Sequence, residues 1–383
     1  MKGMVKGTGL FALIMVSISL VQLALASPLW GSSTIDQNPP QKLTQIRAPI
    51  IHVKGNHYEV GYQIGTRLKE NLLNEVNQLK SRSDWDKLKA NGELFLAYSR
   101  KHLPEYIEEY QGAADALGIK LEELFPTICE ELFYPEFFKG CSDLIASGDV
   151  TEDGSVLVAH NNDTEPGPVT IIHYQVTGEP EILAVGYGGL GISVGYNSAG
   201  ISLTGNQVDS TDIRVGVPRM LLVRKILAAK RIGDAIDAAI MEQRASNYNQ
   251  VIADANGEIY SIEGSATDYE AIYAVDGYLV HTNHYVSPRM RKFELYPNQI
   301  TGSIVRYNRA TRLMKGSLGH ITVEKLMQLL RDHVNHPYSI CRHGEEIKTT
   351  FSIIINLSTM KMLLAPGNPC EVEYSEYDFS TKE

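Results

Sequence analysis

Cysteine and tryptophan are scarce in this chain, four and two in 383 residues, and basic residues are outnumbered, 35 Lys and Arg against 45 Asp and Glu. So few cysteines in so long a chain cannot make a disulfide scaffold; they allow at most two bridges, in any of three pairings. The net charge of −10 comes without a basic patch, so the surface repels phosphate backbones and nucleic-acid binding is excluded. Beyond residue 25 no apolar run is long enough to cross a bilayer. There is no internal repeat and no low-complexity tract. Hydrophobic content of 43% is that of an ordinary globular chain.

The one long apolar run lies at the start, from about Leu10 to Leu25, behind Lys2 and Lys6. Ala24-Leu25-Ala26 follows, with small residues where a signal peptidase inspects them. This predicts a secretory signal at 1–26, cut after Ala26, and a mature chain of charge −12 that is exported: extracellular, lysosomal or periplasmic. Export permits disulfides. Among Cys129, Cys141, Cys341 and Cys370, the preferred bridge is Cys341 with Cys370. If Cys141 stays free, a further cysteine is unpaired too.

Residues 27–48 read as an irregular leader, and Ile50 to Val53 as a short strand. From Tyr58 the apolar positions Leu68, Leu72, Val76 and Leu79 recur at helical spacing. Helices are also expected around Leu103–Leu117 and Leu121–Leu132, with Gly118 as a stop between them. After Cys141 the pattern becomes short β-branched or aromatic segments punctuated by Asp153-Gly154, Asn256-Gly257 and Asp276-Gly277, the grammar of antiparallel hairpins. Two helices interrupt it near Pro218–Ala229 and Gly233–Arg244. Another near Val323–His333, capped by Thr322, precedes a strand pair at Thr350–Leu357 and Lys361–Ala365. Helices in blocks and strands in blocks make the fold class α+β.

Three motifs fail on context. Gly186 to Gly191 fits GxGxxG, but a strand and turn follow, where dinucleotide binding needs a helix. "HTNH" (His281, His284) and "HVNH" (His333, His336) lack a metal-binding frame and read as ordinary polar histidines, so no metal and no cofactor is expected. "GYNSAG" has Tyr196 where a serine hydrolase elbow needs its first Gly.

The stretch "KGCSDLIASGDVTEDGSVLVAHNND" carries more. If the Gly140–Cys141 bond is cut, Cys141 bears a thiol and a free α-amine whose usual pKa values are about 8.5 and about 7.7–8.0. One residue then supplies both nucleophile and base. Glycine at 140 leaves its own carbonyl open to the thiol. "GCSD", followed by "NND", resembles the autoprocessing site of the acyl-coenzyme A:isopenicillin N acyltransferase family of cysteine N-terminal-nucleophile hydrolases. The resemblance continues in order through "GNHYEVGYQIGTRL", "EYQGAADALGIKLEEL", "GYNSAGISLTGN", "GVPRMLLVRKIL", "IEGSATDYE", "HTNH", "SICRH" and "APGNPC", nearly the whole mature chain.

The resemblance implies a four-layer αββα sandwich with two antiparallel sheets. It also implies self-cleavage between Gly140 and Cys141 into a helical fragment (27–140) and a catalytic fragment (141–383) that stay together as one domain. Cys141 would be the nucleophile, Asn283 an oxyanion donor, and Asp163 the partner of the new α-amine. Asn161 and Ser265 would contact substrate. Without the resemblance, Asn283 reads as a turn residue and Asp163 as a loop acid. Two departures point to a different substrate: Ile64 replaces a frequent His, and Lys348 is the nearest cation where an Arg often precedes the last strand pair. The expected partners are a small N-acyl substrate and the chain's own fragment, with no nucleic acid and no membrane. The expected reaction is amide hydrolysis, against acyl transfer from a thioester or a non-catalytic binding protein of the same fold. Asn162-Asp163-Thr164 and Asn356-Leu357-Ser358 are glycosylation sequons, the first expected to be inaccessible.

Overall fold

The structure, a computed structural model, describes residues 43–134 and 140–382. The expected signal at 1–26 lies outside the described residues. A strand, β1 (Ile50–Gly55), leads into α1 (His57–Arg67), α2 (Lys69–Lys80), α3 (Trp85–His102), α4 (Pro104–Leu117) and the short α5 (Leu121–Leu124). The strands β2 (Gly140–Gly148), β3 (Gly154–Thr164), β4 (Thr170–Val176), β5 (Ile182–Gly186), β6 (Ile192–Asn197) and β7 (Ile201–Asn206) come next. Helices α6 (Arg219–Leu227) and α7 (Ile232–Ala239) precede β8 (Asn249–Asp254), β9 (Ile259–Gly264), β10 (Tyr269–Tyr273) and β11 (Tyr278–His281). The chain closes with α8 (Thr301–Lys315), α9 (Val323–Leu330), β12 (Lys348–Asn356), β13 (Lys361–Ala365) and β14 (Ser375–Tyr377).

Local chemistry sets the helix ends. The Asn56 side chain accepts the Glu59 N–H at 2.9 Å while Glu59 accepts the Asn56 N–H at 2.9 Å, a reciprocal cap that starts α1. Gly118, at φ 74°, ends α4 in the left-handed region open to glycine. Thr322 caps α9 through the Lys325 N–H, as its sequence position predicts.

The strands form two sheets, β1-β4-β5-β6-β7-β8-β9-β10 and β11-β2-β3-β12-β13-β14. Pairing is antiparallel except between β1 and β4, which run parallel. Alternation along each strand feeds two different cores. In β5, Ile182 and Ala184 pack with helices α1 to α7, whereas Leu183 and Val185 face the other sheet. In β2, Ile145 faces that same inter-sheet core, and Leu144 and Ala146 pack on α8 and α9. The result is helix, sheet, sheet, helix: the α+β, four-layer αββα sandwich with two essentially antiparallel sheets. Each fully buried Leu or Ile side chain contributes about 1.5–3 kcal/mol of transfer free energy.

Glycines set the helical layer's tightest contact. A Cβ on Gly61 would lie 1.7 Å from the Glu109 carbonyl oxygen, and one on Gly112 would lie 2.1 Å from that of Tyr58. So α1 and α4 meet backbone to backbone, and the "GYQIG" and "QGAAD" stretches have glycine for packing. Residues Gly186 to Gly191 connect β5 to β6 and start no helix, in keeping with the rejection of a dinucleotide site.

Candidate active site

Cys141 is the second residue of β2, and its side chain lies on the face that Asp143 and Ile145 share, toward the other sheet. The register sets Cys141 opposite Asn162 and Asp143 opposite His160. Asn162 turns its Oδ1 to the Cys141 Sγ at 3.9 Å and accepts the Tyr187 hydroxyl at 2.6 Å. Its amide donates to Thr350 Oγ1 at 3.1 Å. Deeper in, His160 Nδ1 lies 2.7 Å from Asp143 Oδ1, both side chains fully buried. Burial pulls the His160 pKa down, but Asp143 and the adjacent Cys141 outweigh it, pushing it up to about 10. The buried His160 ring thus holds its proton more tightly than a free imidazole, beside Asp143 and close to Cys141.

The main-chain side of Cys141 is equally built. Its N–H donates to Asn283 Oδ1 at 2.8 Å. Asn283 follows β11, and Arg306 Nη2 also donates to its Oδ1, at 2.5 Å. Two donors on one oxygen fix the amide's orientation. Its Nδ2 therefore donates to the Gln207 carbonyl, at 3.0 Å. The Asn283 N–H is held by Ser303 Oγ at 2.7 Å.

Asp163 pairs with Gly140 across the sheet and is fully buried. Its Oδ1 accepts the Thr349 hydroxyl at 2.8 Å, and among the described residues its Oδ2 has no hydrogen-bond partner. Burial raises its pKa, opposed by Arg306, Arg342 and Thr349. A Cβ at Gly140 would meet Arg342 Nη1 at 2.6 Å and Asp163 Oδ2 at 2.9 Å. The glycine thus makes room for an arginine and a carboxylate as well as for its own carbonyl.

A small open cleft adjoins the sulfur, lined by Asn162, Tyr187, Gln207, Asn249 and Gln250 among others. Arg219 also lines it, stacked 4.2 Å over Tyr248 and ion-paired to Glu130 at 2.7 Å. The walls are mostly hydrogen-bonding groups.

The structure therefore brings Gly140, Cys141, Asp163 and Asn283 together. Asn161 is not with them: the period of two turns its side chain to the opposite face, where it donates to the Leu330 and Ile340 carbonyls. Asn162 occupies the face expected of it. That burial also bars the 162 sequon in the folded chain. Ser265 is fully buried on Asp212, at 2.7 Å, and is not among the cavity's lining residues. Arg342, on the loop that leads into β12, brings its Nη1 to Gly140. His281 is spent on Asn206 and Glu263, at 2.8 and 2.9 Å, as an ordinary polar histidine. The sequence reading missed Asn162, Asp143, His160, Arg306 and Arg342. Spacing along β2 and β3 relates the first three to Cys141 only when the register is known.

A thiol near the start of an inner strand, with a buried amide oxygen on its nitrogen and a buried acid beside the preceding glycine, in an αββα sandwich, is in keeping with the resemblance to the cysteine N-terminal-nucleophile hydrolases. More narrowly, residues 150–371 match the model of the acyl-coenzyme A:6-aminopenicillanic acid acyl-transferase family, and the chain belongs to that family. The matched segment covers Asp163 and Asn283 and begins after Cys141. The chain is 27% identical over 185 residues to the acyl-coenzyme A:6-aminopenicillanic-acid-acyltransferase 40 kDa form of Emericella nidulans, covering 47% of this chain and 50% of that one. It thus spans about half the length of that relative. It is 22% identical over 380 residues to the β-alanyl-dopamine/carcinine hydrolase of Drosophila melanogaster, covering 85% and 94%. Among solved structures it is similar to a conjugated bile acid hydrolase of Clostridium perfringens, at a TM-score of 0.43 and 14% identity over 62% and 96% of the two chains.

Proposed function

We propose that this chain is an exported precursor that cleaves itself between Gly140 and Cys141 and then hydrolyses amide bonds of small N-acyl amines. The observation that carries the reading is the nitrogen of Cys141, held by Asn283 Oδ1 at 2.8 Å next to a glycine wedged between Asp163 and Arg342. In processing, Sγ attacks the Gly140 carbonyl carbon and the C–N bond to Cys141 breaks. The thiol proton goes to the departing nitrogen, leaving a thioester and an amine. Water then hydrolyses the thioester to a Gly140 carboxylate and a free thiol. In turnover the α-amine takes the thiol proton and passes it to the leaving amine. The acyl group moves to sulfur and then to water. Asn283 Nδ2, released from the Gln207 carbonyl, is the oxyanion donor, and Asp163 holds the amine. Fragment 27–140 stays bound, because it supplies β1 to the eight-stranded sheet and most of the outer helical layer.

The cavity walls favour a small polar acyl group over a long apolar one, in keeping with the β-alanyl substrate in the Drosophila relative's name. The Emericella relative is named an acyltransferase, which supports a second reading: transfer from a thioester to an amine. Intact mass measurement of the purified protein tests the core of the proposal. Wild type should give a fragment beginning at Cys141, and Cys141→Ala a single chain. A wild-type chain that stays whole and inert overturns it. N-β-alanyl amines against acyl thioesters then separate hydrolase from transferase.

A further inference from the structure

Far along the chain from Cys141, three motifs left without a role converge. His333 belongs to "HVNH", Cys341 and His343 to "SICRH", and Cys370 to "APGNPC". They lie on the connection between α9 and β12 and on the one between β13 and β14. One ligand-capable atom from each lies within 4.8 Å of all the others. We propose that these four residues form a tetrahedral Cys2His2 site that binds one zinc ion.

The distances carry the assignment. A tetrahedron built on Zn–S of about 2.3 Å and Zn–N of about 2.0–2.1 Å has edges of about 3.8 Å between sulfurs, about 3.4 Å between nitrogens and about 3.6 Å between unlike atoms. In the structure Cys341 Sγ and Cys370 Sγ are 3.6 Å apart, and His333 Nε2 and His343 Nε2 are 3.1 Å apart. His343 Nε2 lies 3.5 Å from Cys341 Sγ and 3.3 Å from Cys370 Sγ. Two thiolates and two imidazoles in this arrangement select zinc among the common divalent ions.

The surroundings are those of a metal centre as well. Both histidines direct Nε2 inward, and His343 Nδ1 faces Glu371 Oε1 at 3.6 Å. Asn368 Nδ2 lies 3.4 Å from Cys341 Sγ. Cys341 is buried while the other three are half-buried, so an ion has a way in. The rival is the Cys341–Cys370 bridge expected from the sequence. The sulfurs are unbonded and well beyond the ~2.05 Å of an S–S bond. A bridge would also give the two converging imidazoles nothing to bind. In this proposal His333 is a ligand where the sequence suggested an ordinary polar histidine, and His336 lies outside the cluster.

The site's role follows from Arg342, which sits between two ligands. Its carbonyl accepts Asn368 Nδ2 at 2.7 Å and the Thr349 N–H at 3.0 Å, and the Thr349 hydroxyl in turn donates to Asp163. Zinc pins the loop from which Arg342 reaches Gly140. The metal site does not depend on the chemistry proposed for Cys141.

The test uses the full-length protein under mild reduction. One equivalent of zinc is expected by elemental analysis. Cobalt exchanged into the site should show thiolate-to-metal charge-transfer bands and intense tetrahedral d–d bands. Cys370→Ser and His333→Ala should each lower zinc affinity at least tenfold, and His336→Ala should leave it unchanged. Chelation should lower the melting temperature by several degrees. The proposal is overturned if reduced wild type takes up no zinc or cobalt. It is also overturned if Cys341→Ser/Cys370→Ser retains the full equivalent, or if the isolated protein is metal-free with a Cys341–Cys370 disulfide. If the variants do not fold, the wild-type cobalt spectrum decides.

Discussion

Replacing Gly140 by alanine adds one methyl group at a crowded position of the site. Its Cβ would lie 2.6 Å from Arg342 Nη1 and 2.9 Å from Asp163 Oδ2, that is 0.8 Å and 0.5 Å inside the 3.4 Å at which ordinary contact begins. Arg342 presents the far end of a flexible side chain and swings away at little cost. Asp163 is buried and tethered to Thr349, so relief there takes an off-rotamer carboxylate, about 1 kcal/mol. That leaves the fold intact. The displaced carboxylate and arginine flank the peptide bond to be cut, and a misplacement approaching 1 Å costs about 10²-fold in rate. Gly140→Ala should therefore slow processing by about ten- to a hundredfold while lowering stability by only about 1 kcal/mol. A time course of fragment appearance by mass spectrometry, beside a urea melt, measures both. Wild-type processing in a folded Gly140→Ala chain would refute the argument that this glycine serves the reaction through Arg342 and Asp163.

Asn283→Ala should lower kcat by about 10²–10³ if Nδ2 meets the oxyanion, and steady-state turnover at the wild-type rate removes that role. Gly112→Val should cost about 2–3 kcal/mol, since its Cβ would lie 2.1 Å from the Tyr58 carbonyl oxygen; an unchanged urea midpoint would contradict the backbone contact. Burial lowers the His57 pKa, but bonds to Glu109 and Glu179 outweigh it and raise it to about 9. Its contribution to stability is complete below pH ~6.5 and is lost as pH rises through 9. His57→Gln should flatten that part of the stability–pH profile, and an identical slope in both proteins would rule the histidine out as its source.

What escaped the sequence did so for identifiable reasons. Helix α3 shows a narrow stripe of buried residues, Leu88, Gly92, Phe95, Leu96 and Ser99, too thin for a clear period. Helix α8 buries Arg306 and Arg309 where an amphipathic pattern would have leucines. Each arginine is matched from another element: Arg306 by Asn283, and Arg309 by Asp332 at 2.5 Å. The strands of the two sheets were easier to locate, because β-branched runs between Asp-Gly and Asn-Gly turns bury almost every residue.

The order of residues by itself determined the α+β division, the cap of α9, the turn glycines and the Gly140-Cys141 step. All of these depend on neighbours within a few positions. Register and convergence were decided only in three dimensions. Sliding β3 by one residue would put Asn161 in place of Asn162 beside the thiol, and nothing in "HNND" chooses between them. Asn283 and Arg342 reach Cys141 and Gly140 from distant loops, and Arg306 reaches Asn283 from α8. His333, Cys341, His343 and Cys370 likewise meet across 38 residues, because α9, β12 and β13 pack their connections against one another. Such contacts depend on which faces are buried together, and that is settled only when the sheets and helices have stacked.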